Sequence, residues 1–355
     1  MLNRDFWRDR RILLTGHTGF KGAWLSLLLE SLGADVTGFA GPPPGPPALF
    51  DLAACGTGVN SVRGDVRALD RVEAAVRKAR PEVVIHMAAE AVVRRSLRDP
   101  LTTYAVNVMG TANVFDAVRR LGNDARAVLC VTTDKCYLNR EWDWGYREDE
   151  PLGGKDPYSS SKACQELVAA AFRDSYLAER GVGVATARAG NVIGGGDWAE
   201  DRLVPDLMRA AVAGEPLVVR SPSAVRPWQH VLNPLTGYLL LVERLCDAPA
   251  EHAGAFNFGP ADEDARPVSW IVDRLRDRWP DEIEVRTVAE SHAKEAMALK
   301  LDSSRARNRL GWSPSWALAE GLDATVEWYA GYRDGADLRA LSQAQIARFA
   351  PQTVP

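Results

Sequence analysis

Apolar positions along the 355-residue chain fall into short continuous runs, separated by stripes at helical spacing. Ile12-Leu13-Leu14, flanked by Arg11 and Thr15, reads as a strand buried on both faces, because a strand with one wet face would alternate. A helix follows that turns Trp24, Leu27 and Leu28 toward the core. Gly33 is its stop, and 35–39 is a second strand. Positions 62–66 predict a short strand, 69–79 a helix, and Val83-Val84-Ile85-His86-Met87-Ala88-Ala89 a central parallel strand. Next come a helix over 101–120, a strand over 127–135 that ends in polar residues, a strand over 184–189 and a late strand over 255–259. Helices are expected at 270–279, 303–310 and 318–332.

This order predicts an α/β protein: a Rossmann-type doubly wound parallel sheet with a smaller mixed α/β C-terminal substrate lobe. The dinucleotide-binding part spans 1–190 and is completed by about 232–262, and the lobe takes 191–231 and 263–355. The first strand–helix junction carries Gly16-His17-Thr18-Gly19-Phe20-Lys21-Gly22. Glycines there tighten the turn and let backbone N–H groups approach a pyrophosphate at the helix N-terminus; a tight turn without ligand is the plainer reading. No acid ends the second strand. Phe39-Ala40-Gly41 runs into Pro42-Pro43-Pro44-Gly45-Pro46-Pro47, an extended loop, so this position does not separate NAD from NADP. Asp65, at a strand end, could meet the adenine amino group or cap the helix over 69–79. Ala88 and Ala89 are small enough for a cofactor to pass closely. Asn107 either contacts the active-site backbone or is a satisfied core amide.

Asp156-Pro157-Tyr158-Ser159-Ser160-Ser161-Lys162 opens a helix, with Asp156 as N-cap and Pro157 at the first position. Tyr158 and Lys162 then lie one turn apart on one face, near the positive end of the helix dipole. A phenol ordinarily titrates near ~10. A neighbouring ammonium and a helix N-terminus both favour the phenolate, which would make Tyr158 a proton acceptor near neutral pH. The bland alternative is a surface helix. Ligands of open parallel sheets bind at the carboxyl ends of strands, which sets Thr133, Asp134 and Lys135 beside Tyr158; a turn or cap is the alternative for that triplet. The loop over 142–155, rich in charge and tryptophan, reads as a lid. Gly194-Gly195-Gly196 implies backbone freedom or close ligand approach. Arg220 and Arg226 suit planar contact with phosphates.

Composition narrows the partners. Lys+Arg 43 against Asp+Glu 47 gives a net charge of -4, and no basic run stands out, which points away from nucleic acid. Five scattered cysteines without a Cys-x-x-Cys pair fit a reducing cytoplasm. The charged N-terminus lacks a signal-peptide core, no apolar run is long enough to cross a bilayer, and no His/Cys/Asp cluster has metal-ligand spacing.

Gly16-x-x-Gly19-x-x-Gly22, the strand-end Thr133 and Tyr158-x-x-x-Lys162 together resemble the extended short-chain dehydrogenase/reductase family, and within it the nucleotide-sugar 4,6-dehydratases. Val131-Thr132-Thr133-Asp134-Lys135-Cys136-Tyr137 looks like the version found in CDP-glucose enzymes, where dTDP-glucose enzymes carry Thr-Asp-Glu. The glycine turn, 190–198 and 226–231 are similar to the same branch, and the likeness covers about residues 7–332. The resemblance implies NAD that is reduced and reoxidised within each turnover of CDP-glucose. Cofactor contacts would fall on Gly16, Thr18, Gly19, Phe20, Lys21, Gly22, Asp65, Val66, Ala88, Ala89, Asn107, Tyr158 and Lys162. Substrate contacts would fall on Asn191, Arg202, Leu203, Arg220, Arg226 and His230, with structural roles equally open for His17 and His230.

In that scheme Tyr158 takes the proton of the sugar 4-hydroxyl, Thr133 holds the 4-oxygen, and Asp134 protonates the leaving 6-oxygen. Lys135 is either a neutral C5 base or a charged enolate stabiliser. The resemblance also implies a homodimer built on the helices near 101–120 and 158–179. Competing readings are a dTDP- or GDP-linked dehydratase, an epimerase on the same scaffold, and a catalytically silent dinucleotide sensor. An epimerase has no use for an acid at O6, so Asp134-Lys135 disfavours it.

Overall fold

The computed structural model of the chain describes residues 2–122, 124–219, 222–287 and 299–349. Its strands, in chain order, are β1 (Arg11–Thr15), β2 (Asp35–Ala40), β3 (Asn60–Arg63), β4 (Val83–His86), β5 (Ala127–Val131), β6 (Gly183–Ala189), β7 (Asn191–Ile193), β8 (Leu217–Val219), β9 (Val225–His230), β10 (Gly254–Phe258), β11 (Ala265–Pro267) and β12 (Val285–Thr287). Seven of them form one sheet in the order β10-β6-β5-β4-β1-β2-β3. Every neighbouring pair in it is parallel. The order reverses between β1 and β4, the switch point where such sheets open a crevice for ligands.

The apolar runs bury both faces with period two. Ile12, Leu14, Val83, Ile85 and Leu129 join one core, which extends through the Phe20–Ser31 and Leu232–Asp247 helices into the lobe. Leu13, Val84, Val128 and Val184 join the other, against the Leu69–Ala79, Gly110–Leu121 and Pro157–Phe172 helices. In the lobe, β9 lies between β11, antiparallel, and β7, parallel, while β8 pairs with β12. No described helix is long and apolar enough to cross a membrane.

Several boundaries differ from the sequence pattern; the strand expected over 127–135 ends at Val131, because the chain turns at Asp134–Cys136 where the Lys135 N–H donates to Thr133 Oγ. β4 stops at His86, because Thr15 Oγ accepts from the N–H groups of Met87 (3.1 Å) and Ala88 (3.2 Å) and peels the chain off the sheet. β3 ends at Arg63, which leaves Asp65 beyond the strand. The expected 101–120 helix is interrupted by a π-helical turn over Ala105–Met109, which carries Asn107; such turns recur at functional sites. The helices Leu232–Asp247 and Leu338–Phe349 escape the sequence reading, the first because it is apolar nearly all round.

Ile85→Ala, at a fully buried central position, is expected to cost about 2–5 kcal/mol in a urea unfolding series. A loss below about 1 kcal/mol would remove that strand from the rigid core.

Candidate active site

The glycine turn is built by packing before any ligand is considered. Gly16 has φ 77°, and a Cβ there would sit 2.7 Å from the Ala88 nitrogen. A Cβ at Gly22 would sit 2.1 Å from the Gly16 carbonyl oxygen. Gly19 differs, since its Cβ would meet only the Gly16 oxygen at 3.5 Å. Gly19 is also the N-cap of the Phe20–Ser31 helix and offers no capping side chain. The first-turn N–H groups therefore lack a side-chain partner beside open space at the switch point, which is what a dinucleotide pyrophosphate requires. Thr18 Oγ donates to the Gly41 carbonyl (3.2 Å) and ties the turn to the end of β2. Arg63 reaches the same carbonyl (2.7 Å), so a cation stands where an acid commonly ends the second strand.

The Pro157–Phe172 helix starts as its sequence predicts: Asp156 accepts from the Ser159 N–H (2.9 Å) and Ser159 Oγ (2.6 Å). Tyr158, Lys162 and Glu166, at i, i+4 and i+8, are all buried on one face. That face meets the turn Asp134–Cys136 just past β5. Thr133 Oγ donates to Asp134 Oδ1 (2.9 Å), and the Lys135 N–H donates to Thr133 Oγ (3.4 Å). Burial raises the Asp134 carboxyl above the ordinary range, against the opposing pull of Lys135, the Thr133 hydrogen bond and Lys21. A buried carboxyl with a raised pKa is suited to give a proton.

A family model described as GDP-mannose 4,6 dehydratase matches residues 13–325. The chain belongs to that family. A CDP-glucose 4,6-dehydratase of Salmonella typhimurium strain LT2 is 46% identical to it over 358 residues, covering 99% of both chains. A dTDP-glucose 4,6-dehydratase of Streptomyces griseus is 30% identical, covering 91% of this chain and 94% of that one. Among solved structures, DesIV (dTDP-glucose 4,6-dehydratase) of Streptomyces venezuelae with NAD bound superposes with TM-score 0.76 at 24% identity, over 92% of this chain and 99% of that one. A UDP-glucose 4-epimerase of Brucella ovis with NAD gives TM-score 0.78 at 24% identity, over 90% and 98%. Those two likenesses show that the chain shares their fold.

Against that family background, several expectations need correction. Tyr158 is not held as a phenolate by its neighbour: burial pushes it up to about 12, offset in part by a Thr133 hydrogen bond and the Arg202 charge. Lys162 is lowered to about 8 by burial and donates to the Val131 carbonyl (3.3 Å). In the protein alone, desolvation outweighs the local attraction. Asn107 is not free for a cofactor. It accepts from the Glu90 N–H (2.8 Å) and donates to the Glu90 carbonyl (3.1 Å) and Ser161 Oγ (2.9 Å), clamping the loop after β4 to the Tyr158 helix. His230 does not reach substrate; it is fully buried between Trp24 (5.9 Å) and Trp316 (4.9 Å), with burial lowering it to about 3. His17 likewise packs inward, bonded to Ser61 Oγ (2.7 Å) and edge-on to Phe50.

The remaining positions divide by location. Asp65 is half exposed and paired with Arg67 (2.6 Å), whose hydrogen bond lowers its pKa, and Val66 is buried beside Gly110. Ala88 and Ala89 follow β4 at the switch point. Arg202 pairs with Asp197 (3.0 Å) and lies close enough to Tyr158 to act on its charge. Leu203 opens the Leu203–Ala213 helix, and Asn191 starts β7. Arg220 lies outside the described residues, and Arg226 is described only as backbone within β9. Lys135 is exposed. The 142–155 segment is pinned to the lobe, since Trp142 stacks on Tyr146 (5.5 Å) and the Tyr146 N–H donates to the Lys300 carbonyl (2.9 Å).

Two cluster members were not foreseen in these roles. Lys21 does not turn toward the glycine loop's opening. It is half-buried, donates to Tyr238 OH (3.5 Å), and is lowered to about 8 by desolvation and by the Lys162 and Arg202 charges. Tyr238, from the unforeseen Leu232–Asp247 helix, completes the cluster.

Burial of Lys162 has a consequence with a definite sign. Its folded pKa, about 8, lies below the unfolded value of 10.5, so its penalty is full below pH 8 and fades as pH rises toward 10.5. Lys162→Met is therefore expected to melt above the parent protein at pH 7, with the gap shrinking toward pH 10 in paired thermal scans. A gap that grows with pH would contradict the assignment.

Proposed function

We propose that this chain catalyses the NAD-dependent dehydration of CDP-D-glucose to CDP-4-keto-6-deoxy-D-glucose and water. The observation that carries the reading is Asp134: a buried, raised-pKa carboxyl bonded to Thr133 within the Tyr158 cluster. An acid poised there serves loss of a hydroxyl and has no part in inverting C4. The similarity to the Salmonella typhimurium CDP-glucose enzyme supports the cytidine nucleotide.

The first-turn N–H groups of Phe20, Lys21 and Gly22, with Gly16, Thr18 and Gly19, would hold the NAD pyrophosphate; Asp65 and Val66 its adenine; and Lys162 its nicotinamide ribose, with Ala88 and Ala89 giving clearance. Bound NAD would supply a reversible hydride acceptor that takes hydrogen from C4 and returns it to C6. Burial keeps the Tyr158 phenol protonated in the protein alone, so Tyr158 would remove the 4-hydroxyl proton as the phenolate that the positive charge of bound NAD favours, while Thr133 would hold the 4-oxygen. A positive charge beside Tyr158 favours that removal, and Arg202 already acts in this direction. The 4-ketone acidifies C5; the C5 proton would pass to solvent at the exposed Lys135 side of the site, and the 6-hydroxyl would then depart with a proton from Asp134. The proton that Tyr158 gains matches the one Asp134 gives, and C5 regains a proton when C6 is reduced. The exposure of Lys135 supports a charged enolate stabiliser over a desolvated neutral base. Arg202, Arg226, Arg220, Leu203 and Asn191 would hold the nucleotide sugar. Five free thiols, four of them buried, support a cytoplasmic setting.

A homodimer is part of the same proposal. Leu101 (80% exposed), Leu167 (61%), Met109 and Tyr176 stand exposed along the helical segments 100–121 and 157–177, an apolar stripe suited to a self-complementary two-fold face. Leu101→Lys with Leu167→Lys is expected to halve the mass measured by analytical ultracentrifugation. An unchanged mass would assign the interface elsewhere.

Incubation with CDP-glucose, dTDP-glucose and GDP-mannose, followed by mass measurement, tests the activity. Loss of one water from CDP-glucose is expected; unchanged mass with inverted C4 would identify an epimerase, and no change with any sugar a sensor. Tyr158→Phe should abolish turnover while leaving dinucleotide bound. Asp134→Asn should slow water loss by about 10²–10⁴ and let reduced cofactor accumulate.

A further inference from the structure

The Thr133–Lys135 segment is held from below by one buried ion pair. Glu166 and Arg188 meet at 2.8 Å, and each side chain is only 4% exposed. Glu166 lies one turn beyond Lys162 on the Tyr158 helix, and Arg188 lies on β6. The residue immediately before the segment, Thr132, donates its hydroxyl to Glu166 Oε1. Tyr137, which follows Cys136 on the other side, accepts from Arg188 Nη1 at its hydroxyl (2.8 Å) and lies under the guanidinium (4.8 Å). Its own proton goes to Asn257 Oδ1 (2.7 Å), and Arg188 Nη1 also donates to the Glu148 carbonyl (3.0 Å). One ion pair thus grips both ends of the segment that carries Thr133, Asp134 and Lys135, Glu166 from the helix face that carries Tyr158 and Lys162 and Arg188 from β6.

We propose that Glu166 and Arg188 are positioning residues with two separable arms. The Thr132–Glu166 arm sets Thr133 against Tyr158 and so governs C4 oxidation. The Tyr137–Arg188 arm sets Asp134 and Lys135 and so governs water loss. This rests on the dehydratase reading above. Neither ion-pair residue touches the reacting atoms; each acts through a neighbour of the segment. Thr186 supplies an internal control, because its hydroxyl donates to the same Glu166 carboxylate (2.5 Å) from β6, without belonging to the segment.

Removing either charge would strand the other in the interior, so the test cuts the neutral links instead. Thr132→Val, Thr132→Ser, Thr186→Val and Tyr137→Phe holoenzymes are compared with the parent in single turnovers of CDP-glucose. Reduced-cofactor absorbance follows C4 oxidation, and product mass follows water loss. Thr132→Val should slow cofactor reduction about tenfold, the rate equivalent of one charge-assisted hydrogen bond, and Thr132→Ser should restore it. Tyr137→Phe should leave cofactor reduction near the parent rate, slow water loss by a similar factor, and so accumulate reduced cofactor. Thr186→Val should leave both steps near the parent rate. Equal loss of both steps in all variants, or parent rates in Thr132→Val and Tyr137→Phe, would overturn the proposal. If the parent enzyme leaves CDP-glucose untouched, the dehydratase reading fails by itself. Crystal structures then decide the positioning claim: Thr132→Val must displace the 133–135 segment from Tyr158, and Thr186→Val must not.

Discussion

Desolvation at the carboxyl edge of β5 sets the chemistry of this protein. Asp134, Tyr158, Lys162, Lys21 and Tyr238 share one buried cluster, and for each of them burial is the largest influence on its protonation. The carboxyl is pushed toward its neutral form, the two ammonium groups toward losing a proton, and the phenols toward keeping theirs. Charge is costly there, so the site favours neutral partners until a bound ligand brings charge of its own. A lysine near 8 exchanges its proton readily around neutrality, and burial holds the Asp134 carboxyl above its usual range.

Holding such groups in place needs polar scaffolding that is itself satisfied. His86 is fully buried and lowered to about 3 by burial, so it is neutral. Thr15 Oγ accepts from two N–H groups and therefore gives its proton to His86 Nδ1 (2.7 Å), which leaves Nε2 to donate to Thr111 Oγ (2.9 Å). Thr111 in turn donates to the Asn107 carbonyl (2.6 Å), within the π-helical turn whose side chain clamps Glu90. This chain of bonds links β1, β4 and the 100–121 helical segment. It explains why β4 ends where it does and why the helix is wound loosely at Asn107. On the other side of the site, Glu166 and Arg188 supply a second scaffold that extends through Asn257 to the lobe.

The fold does not choose among the reactions its relatives perform. The same architecture is shared with an epimerase and with a dehydratase at comparable TM-scores, 0.78 and 0.76. Choice of reaction therefore resides in a few side chains at the strand ends. The acid after Thr133, Asp134, owes its raised pKa to burial rather than to its position in the sequence.

Much of the architecture was legible from the chain. Continuous apolar runs marked the strands of a sheet buried on both faces, the glycine triplet marked the turn between β1 and its helix, and Asp156-Pro157 marked the start of the helix carrying Tyr158, because these signals depend on local sterics and on period alone. Tertiary structure decided the rest. It turned Lys21 toward the cluster, buried His230 among tryptophans, engaged Asn107 with Glu90, and let burial rather than Lys162 dominate the protonation of Tyr158. Those outcomes depend on which groups lose contact with water and which distant residues fill their hydrogen bonds, and neither quantity is written in the spacing of residues along the chain.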